Sequence, residues 1–537
     1  MAGKLKTLEG LISLDHENIF DLEEDAHDEP NEFNLDNFAG GAFRDKPILD
    51  LDGVVGQIDT GRAQKVTGNN KITYTFLDEG DGLISVYNNP NYGFTAGYGL
   101  AAFTPEQEAY ARQAIDLWDD LIAPEFVESN GRGADIQFAN SWDPAQAYAY
   151  YPSEKGGYKY LGDVFIADPR SYFDDDGNLL FRGNFTNGDL SIGGYGQTTM
   201  VHELGHAIGL SHPGSYNGAG ATDYVDQAEY AQDSEQYSIM SYWDELETGA
   251  RIVNWNTLTN SFLGRWANPQ TPMLHDIYVA QQKYGADMTT RADDTTYGFN
   301  STAGKDVYDF TINDQPFLSI WDAGGEDTLD FSGFEASTVI NLNDGEFSSA
   351  GQGNVTVADI VAGLDPIDDA IAVAYPDFGA AFEDYTSNTG QVPTQATIDA
   401  IMASFMQANA ADIALDWGHT GVFATQYLNI SIAYGAVIEN AVGSEYRDLI
   451  IANEHDNVLT GNGGDDVFIF LDVGNDTITD FESGSDLIDL SAFGIDASDV
   501  TISEGLLEAD IDGDGQADLS ITFENGVELQ AADVFYG

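Results

Sequence analysis

The chain has 537 residues, too many for one ordinary hydrophobic core, and its 42% apolar and 12% aromatic residues can fill two or more domains. Lys+Arg 19 against Asp+Glu 91 gives a formal net charge of -72, a field that repels phosphate backbones and anionic lipid and argues against nucleic acid and membrane surfaces as partners. No cysteine is present, which removes disulfides, thiolate nucleophiles and Cys-ligated zinc, and no apolar run of about 18 residues offers a membrane span.

The amino terminus, MAGKLKTLEGLISLDHENIF, starts basic but has no continuous apolar stretch, against a cleaved secretory signal. Residues 20–60 are acidic and rich in Gly, Asn and Asp, so residues 1–60 read as a flexible leader or pro-segment with His16 and His27 solvated. From about residue 70 the pattern becomes globular. Ile72, Tyr74 and Phe76 alternate as a strand, and Thr104, Pro105 and Gln107 open a helix with a capping-box signature that runs to about Ile122. Its expected inward stripe is Tyr110, Ala114, Leu117, Trp118 and Leu121. Strands follow at 134–139 (ADIQFA) and 162–166 (GDVFI), and the glycine-rich run SIGGYGQTT leads into a second helix.

That helix carries the chemistry, in His202-Glu203-Leu204-Gly205-His206-Ala207-Ile208-Gly209-Leu210-Ser211-His212. Four residues apart on one helical face, His202 and His206 can share a tetrahedral metal, with Glu203 projecting beside them toward the open coordination position. His212 reaches the same metal only if the helix stops; Gly209 in the left-handed conformation would end it and fold the chain back. Three neutral imidazoles would leave zinc doubly positive, able to acidify a water and polarise a carbonyl while Glu203 takes the water's proton. Three unrelated surface histidines would be a rare coincidence in a chain with 8 His. The pattern is that of the metzincin metallopeptidases, which add a methionine turn downstream; Met240, in Ser238-Ile239-Met240-Ser241-Tyr242-Trp243, is placed to be the floor under the zinc.

Past about residue 288 short β-branched and aromatic runs alternate with Gly, Asp and Asn, the texture of a repetitive all-β region. Residues 394–410 interrupt it: Ile398, Ile401, Met402, Phe405 and Met406 share one helical face after Pro393 and a Thr394 cap. Gly461-Asn462-Gly463-Gly464-Asp465-Asp466-Val467-Phe468-Ile469 matches the nonapeptide of a parallel β-roll, whose turns offer oxygen ligands to calcium and whose last residues make a short strand. Two degenerate copies precede it in register, 443–451 and 452–460, so Asp448, Asn457 and Asp466 recur at a spacing of nine. Tyr446 and His455 replace turn glycines and Arg447 brings a positive charge, so few calcium ions are expected. Asp322, Gly324 and Asp327, in WDAGGEDT, look like another such loop, which makes the calcium candidates these three with Asp448, Asn457, Gly461, Gly463, Asp465 and Asp466. Asp174-Asp175-Asp176-Gly177-Asn178 and the run from Asp510 to Gly515 also resemble calcium loops, but Ile521 stands where an EF-hand needs Glu, which favours a hairpin turn for the latter.

The stretches TTMVHELGHAIGLSHPGSYN, YSIMSYW, PMLHDIYVAQQKYGADMTTR, YGFNST and WDAGGEDTLDFSGF cover most of 196–345, and NISIAYGAVIENAVG follows from about 429. In them the chain resembles the serralysins, secreted calcium-binding metzincin proteases of Gram-negative bacteria. The resemblance implies one zinc held by His202, His206 and His212, Glu203 as general base, Tyr242 as a further, displaceable zinc ligand that stabilises the oxyanion, and several calcium ions. It implies an α+β zincin-like catalytic domain at 61–287, a mixed five-stranded sheet with long helices and substrate extended along an edge strand, for which 162–166 is the candidate. An all-β parallel β-roll domain at 288–537 would follow, with a helical insertion at about 350–428. His275 falls on a helix after the methionine turn, as a structural residue.

Serralysins leave the cell through a one-step type I exporter that reads an uncleaved carboxyl-terminal signal, an acidic residue followed by apolar ones, and the ending Asp533-Val534-Phe535-Tyr536-Gly537 fits. The resemblance therefore implies a secreted protein, free or at the cell surface, that acts on protein or peptide substrates, with the exporter as a partner and a proteinaceous inhibitor as an open one. A calcium-binding adhesion protein with a dead protease site is the rival reading; loss of Glu203 or Tyr242 would favour it, and both are present. A lyase or epimerase on a similar roll has no support upstream.

Overall fold

The computed structural model describes residues 34–66, 70–78, 99–129, 133–142, 145–152, 162–174, 177–221, 223–250, 252, 268–351, 426–503 and 505–536. The helix expected at 394–410, the residues around it, His16, His27, Asp175, Asp176 and Gly537 lie outside them.

The described chain begins with a single 3-10 turn (Leu35–Phe38), followed by a short hairpin of β1 (Ala42–Phe43) and β2 (Lys46–Pro47), then helix α1 (Leu51–Ile58). This corrects the expectation of a flexible leader for the residues from 34 on. Leu35, Phe43, Ile48, Val54 and Ile58 are buried, because their partners lie far along the sequence. The Leu35 amide donates to the Tyr237 hydroxyl at 2.8 Å, Asn34 Nδ2 to the Gly345 carbonyl at 2.7 Å, and Asp36 pairs with buried His275 at 2.9 Å. The acidic composition hid a short amphipathic helix: Leu51, Val54, Val55 and Ile58 follow helical spacing behind an Asp50 cap.

The first large sheet is built from β3 (Lys71–Phe76), β4 (Leu100–Ala101), β5 (Glu125–Glu128), β6 (Ile136–Ser141), β7 (Ala147–Ala149) and β8 (Val164–Ala167). Its order is β5-β3-β6-β8-β7, with β4 also paired to β6. The neighbours are parallel along β5-β3-β6-β8, whereas β7 runs antiparallel to β8 and β4 antiparallel to β6. The edges are therefore β5 and β7, and the 162–166 run expected at an edge is the interior strand next to β7. The four residues of β8 are all buried, the signature of an interior strand covered on both faces, whereas those of β7 are half-buried.

Helix α2 (Pro105–Asp119) starts at the expected capping box: the Thr104 hydroxyl accepts from the Gln107 amide at 3.2 Å and Gln107 Oε1 from the Thr104 amide at 3.0 Å. Ala114, Leu117 and Trp118 face inward as expected, joined by Ala111 and Ile115, and Tyr110 is half-buried. Trp118 Nε1 donates to the Val201 carbonyl at 3.0 Å, tying α2 to helix α3 (Tyr195–Ile208) beneath the sheet. A hairpin of β9 (Tyr172–Phe173) and β10 (Leu179–Phe181) precedes α3, and helix α4 (Leu274–Tyr284) follows it.

From Thr296 onward short strands, most of three residues, build two parallel ladders. One runs Thr296–Gly298, Thr328–Asp330, Asn440–Val442, Val458–Thr460, Asn475–Ile478 and Leu519–Phe523; the other Val339–Asn341, Leu449–Ile451, Val467–Ile469, Leu487–Asp489 and Val534–Phe535. Asn440 pairs with Val458 and Leu449 with Val467, so each sheet repeats after two of the nine-residue units read in the sequence. The middle residue of each strand, such as Leu329, Leu459, Ile340, Ile450, Phe468 or Ile488, is fully buried in the shared core. The chain is thus mixed α/β, with few helices and many strands.

Candidate metal centre

Helix α3 brings His202 and His206 onto one face and ends at Gly209, whose φ of 104° is left-handed. A side chain there would be strained, and a Cβ would stand 2.0 Å from the Arg62 carbonyl oxygen. The turn folds His212 back: its Nε2 lies 3.0 Å from His206 Nε2 and 3.3 Å from His202 Nε2. Each Nδ1 faces a backbone carbonyl, His202 that of Ile239 at 2.7 Å, His206 that of Leu210 at 2.8 Å and His212 that of Tyr216 at 3.1 Å. A carbonyl can only accept, so each Nδ1 carries the proton and each Nε2 presents a lone pair. Three lone pairs facing one another cannot hydrogen-bond, whereas nitrogens at tetrahedral positions about 2.05 Å from one zinc would be about 3.3 Å apart. The donor set fits zinc. Burial also favours the neutral imidazole: it pushes His202 down to about 4 and, with the charge of His202, His212 to about 3; His206 is lowered by burial and by both neighbours.

Glu203 sits beside them, buried, with Oε2 lacking any partner, and burial pushes its carboxyl up to about 8. Met240 is wholly buried under the helix. A Cβ on Gly205 would meet Met240 Sδ at 2.4 Å and Trp118 Cζ2 at 3.4 Å, so this glycine between the histidines is the space the methionine fills. The Tyr242 ring centroid lies 4.4 Å from that of His212 and 5.9 Å from that of His202, and the side chain is 37% exposed. Burial pushes its hydroxyl up to about 12 despite a backbone hydrogen bond at Gly218, so it keeps its proton at neutral pH.

Several supports were not legible in the sequence. Buried Asp276 accepts from the Ser238 hydroxyl at 2.7 Å, the Ile239 amide at 2.6 Å and the Met273 amide at 2.9 Å, fixing one side of the methionine turn. Asp233 fixes the other, accepting from the hydroxyls of Tyr216 at 2.7 Å and Ser241 at 2.8 Å and from Trp243 Nε1 at 3.3 Å. The Tyr216 ring in turn stacks on His212. The turn after α3 is clamped by the segment beyond α1: the Ser211 amide donates to the Ile58 carbonyl at 2.7 Å and the Thr60 hydroxyl to the Gly209 carbonyl at 2.6 Å. His275, expected as a structural residue, is buried and pairs with Asp36 at 2.9 Å, while its neighbour Asp276 holds the methionine turn.

The calcium candidates fall into two groups. Asp322 and Asp327 share a loop, each raised by burial; Asp327 Oδ1 accepts from the Thr295 amide at 2.7 Å, while its buried Oδ2 has no partner. Gly324 lies between them with a φ of 138°. An orphaned carboxylate oxygen opposite a second carboxylate fits a cation. In the second group the Asp448 carboxylate accepts from the Thr338 amide at 2.6 Å and the Ser444 amide at 2.5 Å. Asn457 Oδ1 accepts from the Asn453 amide at 3.0 Å, and Asp466 Oδ1 from the Asp448 amide at 2.8 Å. These side chains order the turns of the stack. Gly461 is buried, Gly463 half-buried under Glu445, and Asp465 exposed. Asp174 accepts from the Asn178 amide in the β9–β10 turn. Asp510 accepts from the amides of Gly513, Asp514 and Gly515 in the loop joining two antiparallel strands, the hairpin role expected of it.

A family model described as "Peptidase M10 serralysin C terminal" matches residues 286–377 and 405–530. A serralysin of Proteus mirabilis is 38% identical over 302 residues, 54% of this chain and 55% of that protein. Metallopeptidase AprA of Pseudomonas marginalis is 38% identical over 326 residues, 58% of this chain and 62% of that protein. The matches thus span little more than half the length of these two relatives. Serralysin G of Dickeya chrysanthemi is 30% identical over 492 residues, covering 84% of this chain and 80% of the relative.

Proposed function

Because the chain belongs to the serralysin family, we propose that it is a secreted zinc metalloendopeptidase that hydrolyses peptide bonds of extended polypeptides. The observation that carries this reading is the convergence of three Nε2 lone pairs, each backed by an Nδ1–H to carbonyl contact, beside the unpartnered Glu203 carboxylate. Held by His202, His206 and His212, zinc would supply Lewis acidity to a water and to the scissile carbonyl. Glu203 is the general base: burial raises its proton affinity, a zinc held by the histidines would favour its ionised form, and its carboxylate takes the water's proton. The Tyr242 phenol, protonated and partly exposed next to His212, is placed to donate to the oxygen on which charge develops, and by the family resemblance it would be a further, displaceable ligand of the zinc. Met240 holds the floor, and the open edge of β7 offers main-chain pairing to an extended substrate.

The catalytic part runs to about residue 287 and the parallel stack from 288 is a calcium-dependent β-roll, with Asp322, Gly324 and Asp327 as its best-supported ion site. The carboxyl-terminal strand Val534–Phe535 lies within the segment a type I exporter would read.

Glu203→Gln tests the mechanism. With three histidines left, zinc content stays at about one per chain, while cleavage of a denatured protein substrate falls at least about a hundredfold. Substantial residual cleavage at full zinc content would remove Glu203 from the role of base.

A further inference from the structure

A second group of ligating side chains stands apart from the histidines. Glu235, Asp244 and Glu245 each place a carboxylate oxygen within 4.8 Å of the others. Glu245 is completely buried, and neither of its oxygens has a hydrogen-bond partner. Such a group is unfavourable to bury in its charged form unless something compensates it. The arrangement is fixed from both sides: the Glu235 amide donates to the Trp243 carbonyl at 2.8 Å, the Ser234 hydroxyl meets the Thr248 hydroxyl at 2.5 Å, and Gln236 Oε1 accepts from Thr248 at 2.7 Å. The residues flanking Glu235 are thus bound to the short helix Glu245–Thr248, while Glu235 and Glu245 face each other without a hydrogen bond.

We propose that Glu235, Asp244 and Glu245 form a calcium site on the loop that carries Tyr242. Calcium takes carboxylate oxygens at 2.3–2.6 Å, so ligands on opposite sides of the ion stand about 4.6–5.2 Å apart, which suits three oxygens within 4.8 Å. A magnesium ion is smaller, demands near-ideal octahedral geometry and keeps most of its water, which suits a three-carboxylate cage poorly. The charges that act on Glu245 are Glu235 and Asp244; burial first, and then these, push it well above the ordinary carboxylate range, and the backbone amides of Glu245 and Ile252 pull the other way without reaching hydrogen-bonding geometry. Burial and Asp244 do the same to Glu235. A dication reverses that balance. Because Tyr242 and Trp243 lie between Met240 and this group, the ion would lock the methionine turn and the tyrosine at its end to the segment holding Asp233.

The test is a metal census of the intact chain. Crystals of the full chain soaked in terbium, a calcium surrogate, should give an anomalous peak within coordination distance of all three carboxylates; terbium bound elsewhere with none here overturns the site. Native mass spectrometry at saturating calcium should find one calcium fewer, and unchanged zinc, in Glu245→Gln and in Glu235→Gln. Glu235 is only half-buried, so its variant keeps the measurement available if Glu245→Gln does not fold. An unchanged calcium count in a folded variant would mean that the two glutamates share a proton instead, and the site would be lost. Because the readout is bound metal, the result does not depend on whether the chain cleaves peptides.

Discussion

The metal centre and the carboxyl-terminal stack bury polar groups by opposite means. Around α3 the converging groups are neutral imidazoles, each set by a backbone carbonyl, and Asp233 and Asp276 are each surrounded by three donors. In the stack, carboxylates succeed one another along the turns. Burial pushes Asp448 up to about 7, Asp466 to about 8 and Asp476 to about 7, although each accepts a backbone amide, and neighbouring acids add to the rise at Asp466 and Asp476. A site of neutral ligands can be assembled by the protein before its metal arrives. A ladder of carboxylates at neutral pH is held together only by protons or cations.

The largest effect should come from withdrawing calcium. A calcium-selective chelator at pH 8 should abolish much of the β signal of the stack in circular dichroism, since each saturated site contributes about 2.7 kcal/mol at a hundredfold over Kd. The sign with pH follows from the raised carboxyls. A group that binds its proton more tightly in the folded state contributes fully below its unfolded value near 3.8, and that contribution is lost as pH rises through about 7 to 8. The calcium-free chain should therefore melt higher at pH 5 than at pH 8, and added calcium should raise the midpoint more at pH 8. Equal midpoints at both pH values without calcium would break the contrast between the two regions.

Next in size is Gly209→Ala, which strikes the preassembled site. The left-handed turn and the Arg62 carbonyl 2.0 Å from the new Cβ force the backbone to move, at about 2–5 kcal/mol. The turn carries His212, so zinc content should fall sharply while the calcium-dependent β signal persists. Full zinc content in the alanine variant would show that the histidines do not need this turn.

What the sequence revealed, and what it hid, divides along the same line. The α2 capping box, the face shared by His202 and His206 and the stop at Gly209 are patterns legible within a dozen residues, and the spacing of nine at Asp448, Asn457 and Asp466 is a repeat legible along one continuous stretch. Hidden were groups whose partners are distant in sequence: Asp276 under Ile239, Asp233 between Tyr216 and Trp243, and Ile58 against Ser211. The edge strand was misassigned because a short run such as β8 carries no mark of which side it pairs on, and neighbours in a mixed sheet are set by topology. Residues 34–60 read as leader because an acidic composition outweighs a few apolar side chains, of which Leu35, Phe43 and Ile48 pack with residues beyond 200 such as Ala231, Tyr237 and Leu274.

The smallest structural change tests the most exposed member of the preassembled site. Tyr242→Phe keeps the ring that lies against His212 and His202 and removes only the hydroxyl. With the side chain 37% exposed, the fold should lose almost nothing and the thermal midpoint should stay in place. If the phenol donates to the developing oxyanion, its loss acts in the transition state, so kcat and kcat/KM should fall together with KM little changed, by the equivalent of about 3 kcal/mol. Zinc content should also stay unchanged, because three imidazoles remain, which separates this variant from Gly209→Ala. A phenol serving only as packing, with its hydroxyl bonded to the backbone at Gly218 and not to the oxyanion, predicts wild-type kcat. That outcome would leave Glu203 and the three histidines as the whole of the catalytic apparatus.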